Sequence, residues 1–173
     1  MRGPSLFSQL KSILALPTMV LLVIPYILLN YIPSFLWQPI WVVHIEFDKI
    51  LSFFLLLVGF SIFLQSIILF VKIGKGTLAP WDPTKKLVVK SLYRYVRNPM
   101  ILGVLIILLA ETLYFRSLNI FLWTFLFFLI NHFYFILKEE PDLMKRFGDE
   151  YLEYKMNVPR WIPKISGWKP EDM

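Results

Sequence analysis

Residues 97–140 read RNPMILGVLIILLAETLYFRSLNIFLWTFLFFLINHFYFILKEE. Two apolar blocks, Met100–Phe115 and Leu118–Leu137, are separated only by Arg116-Ser117. So short a connection joins antiparallel helices. A helix needs about 20 residues to cross roughly 30 Å of hydrocarbon. The second block has that length, and the first reaches it only with its flanks. The hairpin brings its two open ends together, so Arg97-Asn98-Pro99 is expected beside Lys138-Glu139-Glu140. Any site in this chain is expected to be assembled there.

Working outward, two more apolar blocks run from Ile13 to Leu36 and from Ile50 to Val71. Pro17, Pro25 and Pro33 predict kinks in the earlier one. That block is too long, and lacks the small-residue cleavage site, for a cleaved leader. Of 173 residues, 57% are hydrophobic and only 17% charged, against about 25% charged in soluble domains. With no cysteine, disulfides, thiolate metal sites and cysteine nucleophiles are excluded. The expected fold is all-α: a polytopic membrane protein with about four transmembrane helices and a cytoplasmic amphipathic C-terminal helix. Residues 1–73 would hold the first two helices and residues 74–173 the transmembrane hairpin and the C-terminal amphipathic helix. Of the 18 Lys and Arg residues, only Lys49 and Arg116 fall on one side of such a bundle. The positive-inside rule then places both termini in the cytoplasm. The net charge of +6 belongs to segments flanking the spans, which argues against nucleic acid as a partner.

Several segments between and after the blocks carry chemistry. Gly74 and Gly76, at the exit of the second block, permit close backbone approach to a ligand. The Lys86–Pro99 stretch mixes basic and aromatic residues, as membrane interfaces do. Its Asn98-Pro99 junction suits a helix start whose first-turn N–H groups are free for a carboxylate. Glu139 and Glu140 oppose the dipole of the helix they end, so a cation such as Lys138 or Arg97 is expected beside them. Alternatively, Pro141 begins a new helix. In that segment Leu143, Phe147, Tyr151 and Tyr154 make one apolar-aromatic stripe, expected to lie on the membrane or over the site. His132 lies near the same face as Glu139, and ionisable residues within spans face the bundle interior. Glu111 is expected in a local ion pair or at a solvated helix end near Arg116.

The ordered set Gly-x-Gly, Leu-Val-x-x-x-x-Tyr-Arg-Tyr-Val-Arg-Asn-Pro-Met, Glu-Glu-x-x-Leu-x-x-x-Phe-Gly-x-x-Tyr-x-x-Tyr and Val-Pro-Arg resembles the isoprenylcysteine carboxyl methyltransferase and phospholipid methyltransferase superfamily. The resemblance covers about residues 74–163. It implies an integral membrane enzyme using S-adenosylmethionine. The cofactor contacts it implies are Gly74, Gly76, Leu87, Val88, Tyr93, Asn98, Pro99, Met100, Ile101, Glu139 and Glu140. With the hairpin geometry it makes Arg97, Glu139 and Glu140 the expected catalytic set, with His132 and Arg160 on the acceptor. The acceptor implied is lipidic or amphipathic: a phospholipid amine, a prenylated carboxylate or a small hydrophobic nucleophile. Two departures matter. Asn98 stands where the carboxyl methyltransferases often have histidine, and it still hydrogen-bonds a carboxylate without titrating. Phe135 stands where the isoprenylcysteine enzymes have a substrate-binding arginine, which argues against prenylcysteine as acceptor. The competing readings are a non-catalytic membrane scaffold and a sterol-reductase-like enzyme.

Overall fold

A computed structural model describes residues 16–33, 45–69, 72 and 86–169. Among these, every regular element is helical. The elements are α1 (Leu16–Asn30), α2 (Ile45–Leu69), α3 (Pro99–Phe115), α4 (Leu118–Tyr134) and α5 (Glu140–Asn157). A 3-10 turn at Ser91–Arg94 precedes α3, and a π-helical turn at Phe135–Glu139 joins α4 to α5. Two helices are long and apolar enough to cross a membrane, Glu46–Leu69 and the continuous Leu118–Asn157, while Leu16–Asn30 and Pro99–Phe115 are apolar but shorter.

Two prolines explain the π turns that precede Pro25 and Pro141. Proline has no N–H to give its helix, and its ring collides with the carbonyl four residues back. Widening the preceding turn relieves the collision. In α1 the Ile24 amide donates to the Met19 carbonyl just before Pro25. At the other site the Glu140 amide donates to the Phe135 carbonyl just before Pro141. Pro141 therefore does not separate two helices, as a fresh helix start would; α4 runs through a widened turn into α5. The actual break comes later, at Gly148, whose φ of 52° and ψ of −127° are not helical.

The hairpin turn forms as its length requires. Arg116 ends α3 in the left-handed conformation, and the Ser117 hydroxyl accepts from the Ile120 amide to start α4. α3 is the central helix, burying residues from Pro99 to Thr112 against neighbours on both sides. Its contact with α2 is the most extensive between helices. The crossing depends on two glycines: a Cβ on Gly59 would lie 2.9 Å from the Gly103 carbonyl oxygen, and one on Gly103 would lie 2.8 Å from the Phe63 nitrogen. Small residues let backbones approach where no hydrophobic effect drives helices together. α1 docks on α4, with the Trp123 Nε1–H donating to the Val20 carbonyl at 3.2 Å.

α2 begins at Ile45, before the apolar block proper, because Glu46 and Asp48 occupy its first turn, where carboxylates favour the dipole. Asp48 also pairs with Arg116 across the hairpin turn. Phe53, Phe54, Leu57 and Phe60 of α2 are each more than half exposed. An apolar surface of that extent is suited to lipid, not to water.

Candidate active site

The end of the hairpin away from Arg116 assembles a buried ionic cluster around Glu140, which is 7% exposed. Its Oε1 accepts from Arg97 Nη1 at 2.9 Å and from Arg160 Nε at 2.6 Å, while Lys155 Nζ lies 3.0 Å from Oε2. Arg97 Nη1 also reaches the Tyr151 hydroxyl at 3.4 Å. Burial by itself would raise the pKa of the Glu140 carboxyl. Hydrogen bonds from Arg160 and Lys155, with the charges of Arg97 and Arg160, reverse that and hold it below the usual carboxylate range. Glu140 is therefore ionised at neutral pH and is no proton acceptor. It organises three cations and leaves them with a surplus of positive charge.

Glu139, the adjacent carboxyl, has the opposite character. Burial pushes its pKa up to about 7; Arg146 pulls it down, and Glu140 and Asp142 add to the rise. Two neighbouring carboxyls driven apart in pKa divide the roles of acid–base group and fixed charge. Tyr93 stands near Glu139: burial, then the Glu139 charge, raises its hydroxyl pKa. Cation compensation comes from Arg97, Lys155 and Arg160 at Glu140 and from Arg146 at Glu139. Lys138 is exposed.

The segment leading into α3 is fixed from several sides. The Val88, Val89 and Val96 side chains are buried. The Tyr154 hydroxyl donates to the Tyr93 carbonyl at 2.8 Å. The C-terminal segment straps across it, with the Arg97, Lys164 and Trp168 amides donating to the Pro159, Tyr95 and Arg94 carbonyls respectively. The stripe expected on the membrane or over the site packs on this segment: Tyr151, Tyr154, Val89 and Val158 form a core flanked by Leu87, Leu143, Phe147 and Trp168. Asn98 stands at the N-cap of α3, but its side chain makes no capping hydrogen bond. The amide group and the first-turn N–H groups at Met100 and Ile101 are thus not engaged with each other. An open first turn beside surplus positive charge is an anion-binding arrangement.

His132 sits apart from the ions, in an aromatic cluster. Trp161 Nε1–H donates to His132 Nδ1 at 3.0 Å, and the imidazole stacks on Phe128 and Trp161. Trp Nε1 is only a donor, so Nδ1 is the acceptor and the neutral ring carries its proton on Nε2. His132 thus presents a donor to its surroundings. Arg160, expected on the acceptor, spends its Nε on Glu140 and keeps its Nη end. Gly74 and Gly76 lie outside the described residues.

Lys155 and Trp161 belong to this site although no motif reading assigned them to it. Gly148 is the reason for Lys155: fifteen residues of unbroken helix would carry it about 22 Å from Glu140, and with the break at Gly148 it lies 3.0 Å away. Trp161 had one usable signal, its position next to Arg160.

This chain belongs to the phospholipid methyltransferase family, a family of membrane methyltransferases, whose model matches residues 47–150. That span runs from the start of α2 through the hairpin and the Glu139-Glu140 pair. An uncharacterized protein of Haemophilus influenzae is 41% identical over 63 residues, 36% of this chain and all of that protein. No solved structure matches the chain.

Proposed function

We propose that this protein is an integral membrane, S-adenosylmethionine-dependent methyltransferase acting on a lipidic or amphipathic acceptor, with phospholipid amines favoured. In this reading the chain crosses the bilayer four times, both termini are cytoplasmic, and the Arg97–Glu140 cluster lies at the cytoplasmic interface. The observation that carries it is the split pair of carboxyls at the open end of the family-matched hairpin.

The residues present fit the cofactor's chemistry. A carboxylate is met by the Asn98 amide, the first-turn N–H groups of α3 and the surplus positive charge around Glu140. An ammonium or ribose hydroxyl is met by Glu139, with Leu87 and Val88 forming an apolar wall. When bound, S-adenosylmethionine supplies a methyl group activated by a sulfonium. In-line displacement depends on alignment and on excluding water, and the C-terminal strap serves both by fixing the segment before α3. An amine acceptor must lose a proton, and Glu139 is the group whose pKa of about 7 suits it to take one. Arg97 acts through Glu140, holding the helix junction that carries Glu139. His132 offers its Nε2–H to an acceptor phosphate or hydroxyl beside Arg160.

Calorimetry in mild detergent, with wild type beside Glu139→Gln, tests the cofactor half. Saturable S-adenosylmethionine binding is expected for wild type and weakened binding for the variant. Absence of binding by folded wild type, with no labelled methyl transferred to extracted membrane lipid, would overturn the proposal.

A further inference from the structure

At the opposite end of α3 lies a second cavity, of about 260 Å³, lined by Lys49, Ser52, Phe53 and Leu56 of α2 and Ala110, Glu111, Tyr114 and Phe115 of α3. Glu111 is one turn from the end of α3 and about 20 Å along that helix from Arg97, so this is not the ionic cluster. The Glu111 Oε2 is buried and has no hydrogen-bond partner among the described residues. Its neighbours are otherwise committed. The Ser52 hydroxyl donates to the Lys49 carbonyl at 2.8 Å, the Thr112 hydroxyl to the Leu108 carbonyl at 2.9 Å, and Arg116 pairs with Asp48. Glu111 therefore ends neither solvated nor hydrogen-bonded through this oxygen. A buried acceptor left unmade costs free energy, and native proteins rarely leave one.

We infer that this cavity is a binding site for the headgroup of a zwitterionic lipid bearing a primary ammonium, in the leaflet opposite the Arg97–Glu140 cluster. Three observations select that occupant. The rim residues Phe53 and Tyr114 are 61% and 60% exposed, so the cavity opens sideways toward lipid. Its volume lies below the roughly 300–1,000 Å³ of pockets that enclose a whole drug-sized ligand; it suits a headgroup whose acyl chains run along Phe53 and Phe115. Charge complementarity does the rest. Glu111 takes an ammonium, and Lys49, loosely paired with Glu46 at 3.6 Å with both side chains more than half exposed, takes the phosphate. The unpartnered Oε2 requires a hydrogen-bond donor. A primary ammonium has one and a quaternary ammonium has none, so ethanolamine-type lipid is selected over choline-type. The site holds lipid without reacting it and does not depend on the methyl-transfer reading.

The test uses full-length protein equilibrated in nanodiscs of equimolar phosphatidylethanolamine, phosphatidylcholine and phosphatidylglycerol. It is then extracted in mild detergent, and retained lipid is measured by native mass spectrometry. Wild type is expected to retain phosphatidylethanolamine over phosphatidylcholine by about tenfold, the scale of one hydrogen bond to a charged group. Glu111→Leu should bring the ratio to that of the bulk, and Lys49→Gln should lower the total lipid retained while leaving the ratio unchanged. Thermal melting followed by circular dichroism checks that both variants remain folded. Equal retention of the two lipids by wild type, or undiminished selectivity in folded Glu111→Leu, overturns the proposal. So does a doubled mass without lipid, which assigns the cavity to a second copy of the chain.

Discussion

Each end of the α3–α4 hairpin has an arginine from the chain beside α3 joined to a carboxylate from another helix, yet the two ends do different things. At the turn, Arg116 meets Asp48 as one cation and one anion, with side chains 33% and 16% exposed. At the open end, one carboxylate, 8% exposed, is shared by Arg97, Arg160 and Lys155. A matched pair near solvent fixes the register of two helices. A buried anion outnumbered by cations fixes three chain segments and still leaves an excess of positive charge, which in the proposed function meets the cofactor. The difference between fold and function here lies in stoichiometry and burial, since the pair chemistry is the same.

Removing the anion is the strongest way to break that comparison. Glu140→Ala leaves Arg97, only 10% exposed, without its counter-charge. Breaking a buried pair from one side costs about 3–5 kcal/mol, so a large fall in the thermal midpoint in detergent is expected, together with loss of activity. A variant as stable as wild type would mean that the cations do not depend on Glu140. The depressed pKa of Glu140 gives the same contact a pH sign. Its stabilisation is present above the ordinary carboxylate pKa and is lost as pH falls through the lower folded value.

The adjacent carboxyl sharpens the contrast. Glu139→Gln should leave the ionic cluster standing and lower methyl transfer to an amine acceptor by about 10²–10⁴-fold, the usual worth of a general base. In wild type kcat/KM should rise with pH through about 7, and the variant should lose that limb. Stability runs the other way. The folded carboxyl holds its proton more tightly than the unfolded one, so its contribution favours the fold at low pH. That contribution declines as pH rises from the ordinary value of 4.5 to about 7. A flat wild-type profile across this range would remove Glu139 from the base role.

How much of this was legible beforehand follows from the same geometry. The Arg97–Glu140 contact could be read because a two-residue turn leaves a helical hairpin no choice about which ends meet. Cation compensation at Glu139-Glu140 was readable from the helix dipole, but Lys155 was not, since Gly148 breaks the count. The early start of α2 was hidden because Glu46, Asp48 and Lys49 look like a loop until Arg116 is brought against them. The Gly59–Gly103 crossing was illegible for a different reason: nothing local says which two glycines of different helices face each other. Gly103→Ala tests it. The added methyl meets the backbone of Phe63 and Gly59, which no rotamer change relieves, so about 1–3 kcal/mol of overpacking strain is expected as a lowered melting midpoint.

The smallest effect is expected where the comparison began. Asp48→Asn removes one charge from a pair at the rim, keeps a hydrogen-bond acceptor for Arg116, and leaves the left-handed turn at Arg116 untouched. Rim pairs are worth about 0–1 kcal/mol and are screened by salt. The midpoint should therefore shift slightly at low ionic strength, and the shift should shrink as salt is added. The Glu140→Ala defect, being buried, should persist in the same salt series. If both defects faded together, the open end would be no better shielded than the turn. Burial would then not be what separates the ligand-ready cluster from the structural pair.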